Sequence, residues 1–127
     1  LRYIINDKKY HFRSAFDTKT GAYIRTGILD ENGKDTGIDP FMASYPHLID
    51  VGIMGHCIHG KTGLCAKAGI GCYQSGMLVE QPNMTLEDFK SIAKQSKHRC
   101  NQFALGGRSD PDQHEHFEEI RLYVSKN

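Results

Sequence analysis

The chain has 127 residues, a formal charge of +1 and 39% hydrophobic residues. That length suffices for one domain with a modest core, and the near balance of charge argues against a mainly electrostatic grip on nucleic acid or on an anionic membrane. No stretch approaches the roughly 20 apolar residues of a spanning helix, and the run Leu1 to Lys8 lacks the pattern of a signal peptide, so a soluble, cytoplasmic protein is expected.

The first third alternates in short bursts. Tyr3 to Ile5 lead into Asn6-Asp7-Lys8, after which Tyr10, Phe12 and Ser14 alternate with His11 and Arg13, predicting a hairpin with one wet face. Ala22 to Leu29 is a further strand, bounded by Thr20-Gly21 and by the turn signal Asn32-Gly33. The aromatics Tyr3, Tyr10, Phe12, Phe16 and Tyr23 are expected in the core, or at an interface where the sheet leaves them uncovered. Residues 1–47 therefore read as an N-terminal β extension of a single domain spanning 1–127, and residues 48–127 as a βαβα unit, giving an α+β or α/β fold.

Beyond Pro46, Leu48 to Met54 is a short apolar run of the kind buried in a sheet. From Thr85 the period changes: Leu86, Phe89, Ile92 and Ala93 share a helical face, Thr85 can cap it and Asp88 stands three residues on, so a helix is predicted over about 86–95. Asn101 to Leu105 forms another strand closed by Gly106-Gly107. Phe117, Ile120 and Val124 mark a last helix starting near Pro111-Asp112. Strand, loop, helix, strand should place the two strands side by side and parallel, with the loop and Gly106-Gly107 meeting at their carboxyl ends.

The loop carries the chemistry. Cys57, Cys65 and Cys72, three of four cysteines, lie in a glycine-rich stretch with His56 and His59. Thiols and imidazoles crowded this way favour metal binding over a disulfide framework. His114 and His116, two apart, are expected at the surface, with His114 turned toward Gly106-Gly107, and Cys100 as a small buried hydrophobe. Lys61, Lys67 and Arg108 give the loop a mildly basic rim. No nucleophile and base are legible as a pair, so no catalytic residue is assigned.

A strand running into three cysteines, the last followed by an aromatic (Cys72-Tyr73), then a helix and a strand ending in Gly106-Gly107, resembles the N-terminal part of radical S-adenosylmethionine (radical SAM) enzymes. The resemblance covers residues 48–124. It implies a [4Fe-4S] cluster on Cys57, Cys65 and Cys72, S-adenosylmethionine on the open iron, and Gly106 and Gly107 beside the methionine end of that cofactor. The family's tight Cys-x3-Cys-x2-Cys loop is widened here, with seven residues between Cys57 and Cys65 and six between Cys65 and Cys72. Only two strands of the family's barrel are in the sequence, leaving its substrate pocket without a wall.

A loop of this kind outside a barrel is expected to hold zinc on Cys57, Cys65, Cys72 and His59, with His56, Cys100 and His114 as substitutes for the fourth position. The function then expected is that of a non-catalytic zinc protein that binds and inhibits a macromolecular partner. Such reuse of half an enzyme fold is typical of phages, and an anti-CRISPR protein directed at a Cas nuclease is its specific version. The alternative is a fragment of a radical SAM enzyme. The polar end Ser125-Lys126-Asn127 reads as a natural stop.

Overall fold

The computed structural model describes residues 2–76 and 78–126. Leu1 and Asn127, the ends of the stretches read above for a leader and for a stop, lie outside them. The architecture is α+β, with a three-stranded antiparallel sheet, a two-stranded parallel sheet and helices. No barrel is formed among the described residues. Two compact units are present: the chain up to Leu48 together with His98–Gln102, and Ile49–Lys97 together with the chain from Phe103.

In the first unit β1 (Arg2–Asp7) and β2 (Phe12–Asp17) form the predicted hairpin, paired from Arg2↔Asp17 to Asp7↔Phe12. Phe12 and Ser14 are buried while Arg13 is exposed, as a pleat with one wet face requires. Tyr10 sits in the turn instead of the strand. Asp7 closes that turn by accepting hydrogen bonds from the N–H groups of Lys9 and Tyr10 at 3.0 and 3.1 Å. Of the five aromatics assigned to the core, Phe12 is fully buried, but Tyr3 and Tyr23 are exposed.

The third strand is shorter than predicted. β3 (Tyr23–Arg25) pairs with β2 through Ser14↔Arg25, Ala15↔Ile24 and Phe16↔Tyr23, and the ladder then stops. Both carboxylate oxygens of Asp35 accept from the N–H of Gly27, at 3.1 and 3.2 Å, and Leu29 bridges Asp35 around Asn32-Gly33. Past Arg25 the Thr26 N–H still donates to Arg13 O at 2.8 Å, but the Arg13 N–H turns to Thr26 Oγ1 at 3.0 Å and the Ile28 N–H to Ile38 O at 2.8 Å, so regular pairing ends there.

In the second unit β4 (Leu48–Met54) matches its predicted run, and Val51, Ile53 and Met54 are buried. They form a core with Phe89 and Ile120, joined by Phe103, Leu105, Leu86 and Ile92. The loop between Cys57 and Cys72 contains two short helices, α1 (Ile58–Thr62) and α2 (Leu64–Lys67), where no regular element was expected. They are joined at Gly63, whose φ of 68° is the left-handed conformation glycine adopts without strain. Next comes α3 (Leu86–Ser96), turning Phe89 inward. Thr85 Oγ1 accepts from the Asp88 N–H at 3.1 Å and donates to Asp88 Oδ2 at 2.7 Å, so Asp88 answers the cap through the hydroxyl.

β5 (Gln102–Gly107) runs parallel to β4 and includes the glycine pair as its last residues. The final helix starts later than predicted. Pro111–Gln113 makes a single 3-10 turn, His114 is extended, and α4 (Phe117–Lys126) follows, with Ile120 buried. No described helix is long and apolar enough to cross a membrane.

Candidate functional site

The site lies in the second unit, where both parallel strands end. Beyond β4, the N–H of Met84 donates to Ile53 O at 2.9 Å and that of Gln81 to Gly55 O at 3.1 Å, so residues 81–84 run alongside the strand's exit. Gly55 is indispensable in this passage, since a β-carbon there would lie 2.1 Å from Pro82 O.

Cys57 follows as the buried N-cap of α1, its Sγ accepting from the Gly60 N–H at 3.3 Å. Cys65 is half-buried on α2. Cys72 is exposed, and its Sγ accepts from the Gly76 N–H at 3.4 Å. That hydrogen bond, with help from the N–H groups of Gln74 and Ser75 and from the charge of Arg108, draws the Cys72 thiol below its ordinary value of 9.0. No disulfide joins any of the four cysteines.

Gly76 ties these pieces together. A β-carbon placed on it would be 2.9 Å from Cys57 Cβ, 3.6 Å from Cys57 Sγ and 3.3 Å from Arg108 O. The same glycine donates to Cys72, so the first and last thiols of the loop flank one backbone position against the end of β5. Arg108 secures the junction: its N–H donates to Met54 O at 3.0 Å and its Nη1 to Gln74 O at 2.8 Å. Gly76 carried no sequence signal for this packing role.

The histidines are placed differently from expectation. Ser109 Oγ donates to Gln113 Oε1 at 3.0 Å, which fixes the amide so that Gln113 Nε2 donates to His59 Nε2 at 3.1 Å. His59 thus faces the turn after β5, with Asp110 Oδ2 at 4.0 Å. His56 Nδ1 donates to Gln81 O at 3.3 Å. His114 is buried, not at the surface, and turns to Met84 instead of the glycine pair. Its Nε2 donates to Met84 O at 2.9 Å and its Nδ1 accepts from the His116 N–H at 3.0 Å, which uses both ring nitrogens.

Cys100 belongs to the first unit and is half-buried, its single S–H lying within reach of Gln102 O at 3.1 Å and His47 O at 3.3 Å. The basic rim is largely spoken for, since Lys61 is paired with Glu80 and Arg108 with Gln74 O. Among the described residues no three His, Cys, Asp or Glu side chains converge as a metal-binding group. No protein-family model matches the chain, and neither does any curated protein or solved structure.

Proposed function

We propose that Cys57, Cys65 and Cys72 hold an iron–sulfur cluster and that the second unit belongs to a radical-SAM-type catalytic domain. The observation that supports this most is the junction at Gly76, where the cysteine loop, Arg108 and the carboxyl ends of two parallel strands come together. Open α/β sheets bind their ligands at that edge.

The donor set suits such a group. Three thiols share one loop, and Cys72 favours the thiolate that ligation requires. A cluster takes one thiolate on each of three irons, so its ligands ring a volume and need not converge on a point. A closed tetrahedral zinc site would need a fourth donor; both nitrogens of His114 are used, while Gln113 engages only Nε2 of His59 and Gln81 O only Nδ1 of His56. When bound, the cluster would offer an open iron to the amino and carboxylate groups of S-adenosylmethionine, with Gly106 and Gly107 beside the methionine end.

The zinc-stabilised inhibitor of a protein partner, a Cas nuclease among them, is the second reading. It is favoured by the apolar side chains standing exposed around the loop, Leu64, Ile70, Tyr73 and Leu78, which a partner could cover. Anaerobic purification followed by metal analysis and visible spectroscopy separates the two. About four irons per chain with a brown chromophore that S-adenosylmethionine perturbs is the expected result. About one zinc in a colourless sample would replace the first reading with the second.

A further inference from the structure

The first unit has a cavity of its own, about 420 Å³, within the size range of small-molecule sites. Although the whole chain carries a formal charge of only +1, the wall of this cavity holds three fixed cations, Lys8, Lys9 and Arg99, against a single carboxylate, Asp7. That carboxylate is already committed. It accepts from the Ser44 N–H at 2.6 Å and the Ser44 hydroxyl at 2.8 Å, in addition to the turn N–H groups of Lys9 and Tyr10.

The three cations, by contrast, have no carboxylate partner among the described residues. Three cations elsewhere do have carboxylate partners, Arg25 with Asp39, Lys61 with Glu80 and Arg121 with Glu118. Here Lys9 lies 5.0 Å from the centre of the Tyr10 ring, and Arg99 lies 5.7 Å from that of Tyr45, another lining residue. An unneutralised cationic wall beside an aromatic face attracts an anion that carries an organic part.

The wall is also built to hold its shape. The segment carrying Arg99 is fastened by two backbone donors to one carbonyl, His47 O: Asn101 N–H at 2.9 Å and Gln102 N–H at 3.3 Å. It begins at His98, whose φ of 62° is uncommon for a residue with a β-carbon and aims the following side chain. The His47 ring is itself held by the Tyr23 hydroxyl at 2.8 Å and packs 5.4 Å from Phe12. The backbone that carries Arg99 is thereby fixed, while the Lys8, Lys9 and Arg99 side chains belong to exposed residues and are open to an incoming anion.

We propose that this cavity binds a phosphorylated small molecule, with Lys8, Lys9 and Arg99 on the phosphoryl group and the Tyr45 ring beside the organic moiety. The test is a titration of the full, isotope-labelled chain with ADP and, separately, with inorganic phosphate, followed by amide NMR. ADP is expected to give saturable shifts confined to residues 8–9, 44–47 and 98–99, weakened at least tenfold in the double variant Lys9→Ala, Arg99→Ala. Tighter binding of ADP than of phosphate assigns a role to the organic part, and equal binding assigns the phosphoryl group alone. If the double variant loses its amide dispersion, Lys8→Ala in the exposed turn serves in its place. Shifts that never saturate, that gather around Lys67 and Arg108, or that persist at full affinity in a folded variant would overturn the proposal.

Discussion

Gly107 approaches Met54 so closely that a β-carbon on it would stand 2.5 Å from the Met54 carbonyl oxygen and 2.7 Å from its nitrogen. Both obstacles are backbone, and the φ of 120° at Gly107 is one that L side chains rarely adopt. Gly107→Ala should therefore destabilise the fold by at least about 2 kcal/mol. At the neighbouring Gly106 a β-carbon would meet only Asp50 Oδ1 at 3.8 Å, an ordinary contact. Urea midpoints of the two alanine variants should differ clearly, and equal midpoints would show that the strands can separate at this point without cost.

Thr85 caps α3 and is answered by Asp88. Thr85→Ala leaves a first-turn N–H without its side-chain acceptor and should cost about 1 kcal/mol, while Thr85→Ser should restore most of it. Thermal unfolding of both variants checks this, and no difference between Ala and Ser would remove the cap as a source of stability.

Asp7 predicts a pH dependence. Burial pushes its carboxyl up, but the hydrogen bonds from Ser44, Tyr10 and Lys9 outweigh burial and hold it below the ordinary 3.8. The folded chain thus binds fewer protons at this group than the unfolded chain does. Its contribution is whole above the unfolded value and is lost as pH falls through the folded one. Stability should decline below about pH 4, and Asp7→Asn should flatten that decline while costing about 1–3 kcal/mol at neutral pH. A variant whose acid limb keeps the parent's slope would mean that other carboxylates govern it.

Cys72 should be the first thiol to react. It is exposed, and backbone N–H groups favour its thiolate, whereas Cys57 is buried. Limited iodoacetamide treatment of the metal-free chain, read by peptide mass mapping, should label Cys72 ahead of Cys57, Cys65 and Cys100, with a pH midpoint below 9.0. Labelling of Cys57 first would mean that α1 opens readily at its cap.

The parts of the fold legible in the sequence are those whose residues are buried by periodicity alone. Leu48 to Met54 is an apolar run broken only by Asp50, and Leu86, Phe89 and Ile92 repeat at helical spacing, so β4 and α3 follow directly. The helices α1 and α2 are too short to carry a periodic signal. The start of α4 was misplaced because Pro111-Asp112 has the look of a helix start. The deciding contact, His114 to Met84 O, comes from 30 residues away in sequence.

The site was legible to a similar degree. Three cysteines mark the loop, and nearness along the chain adds His59 to them. Residues two apart on a helix do not share a face, so the position that makes Cys57 the cap of α1 turns His59 toward Gln113. The basic cavity is assembled from three separated segments of the sequence, none of which is basic enough alone to change the balance of charge.

The division of the chain also has a consequence for its synthesis. The polypeptide leaves the first unit after Leu48, returns for His98–Gln102 and leaves again. During vectorial translation the antiparallel sheet emerges early, yet the His47 carbonyl waits some fifty residues for the donors that close on it. The first unit thus cannot be finished until Gln102 has left the ribosome, although its sheet precedes that residue in the chain. A gene fragment starting at residue 49 would strand His98–Gln102 without the acceptor that holds them.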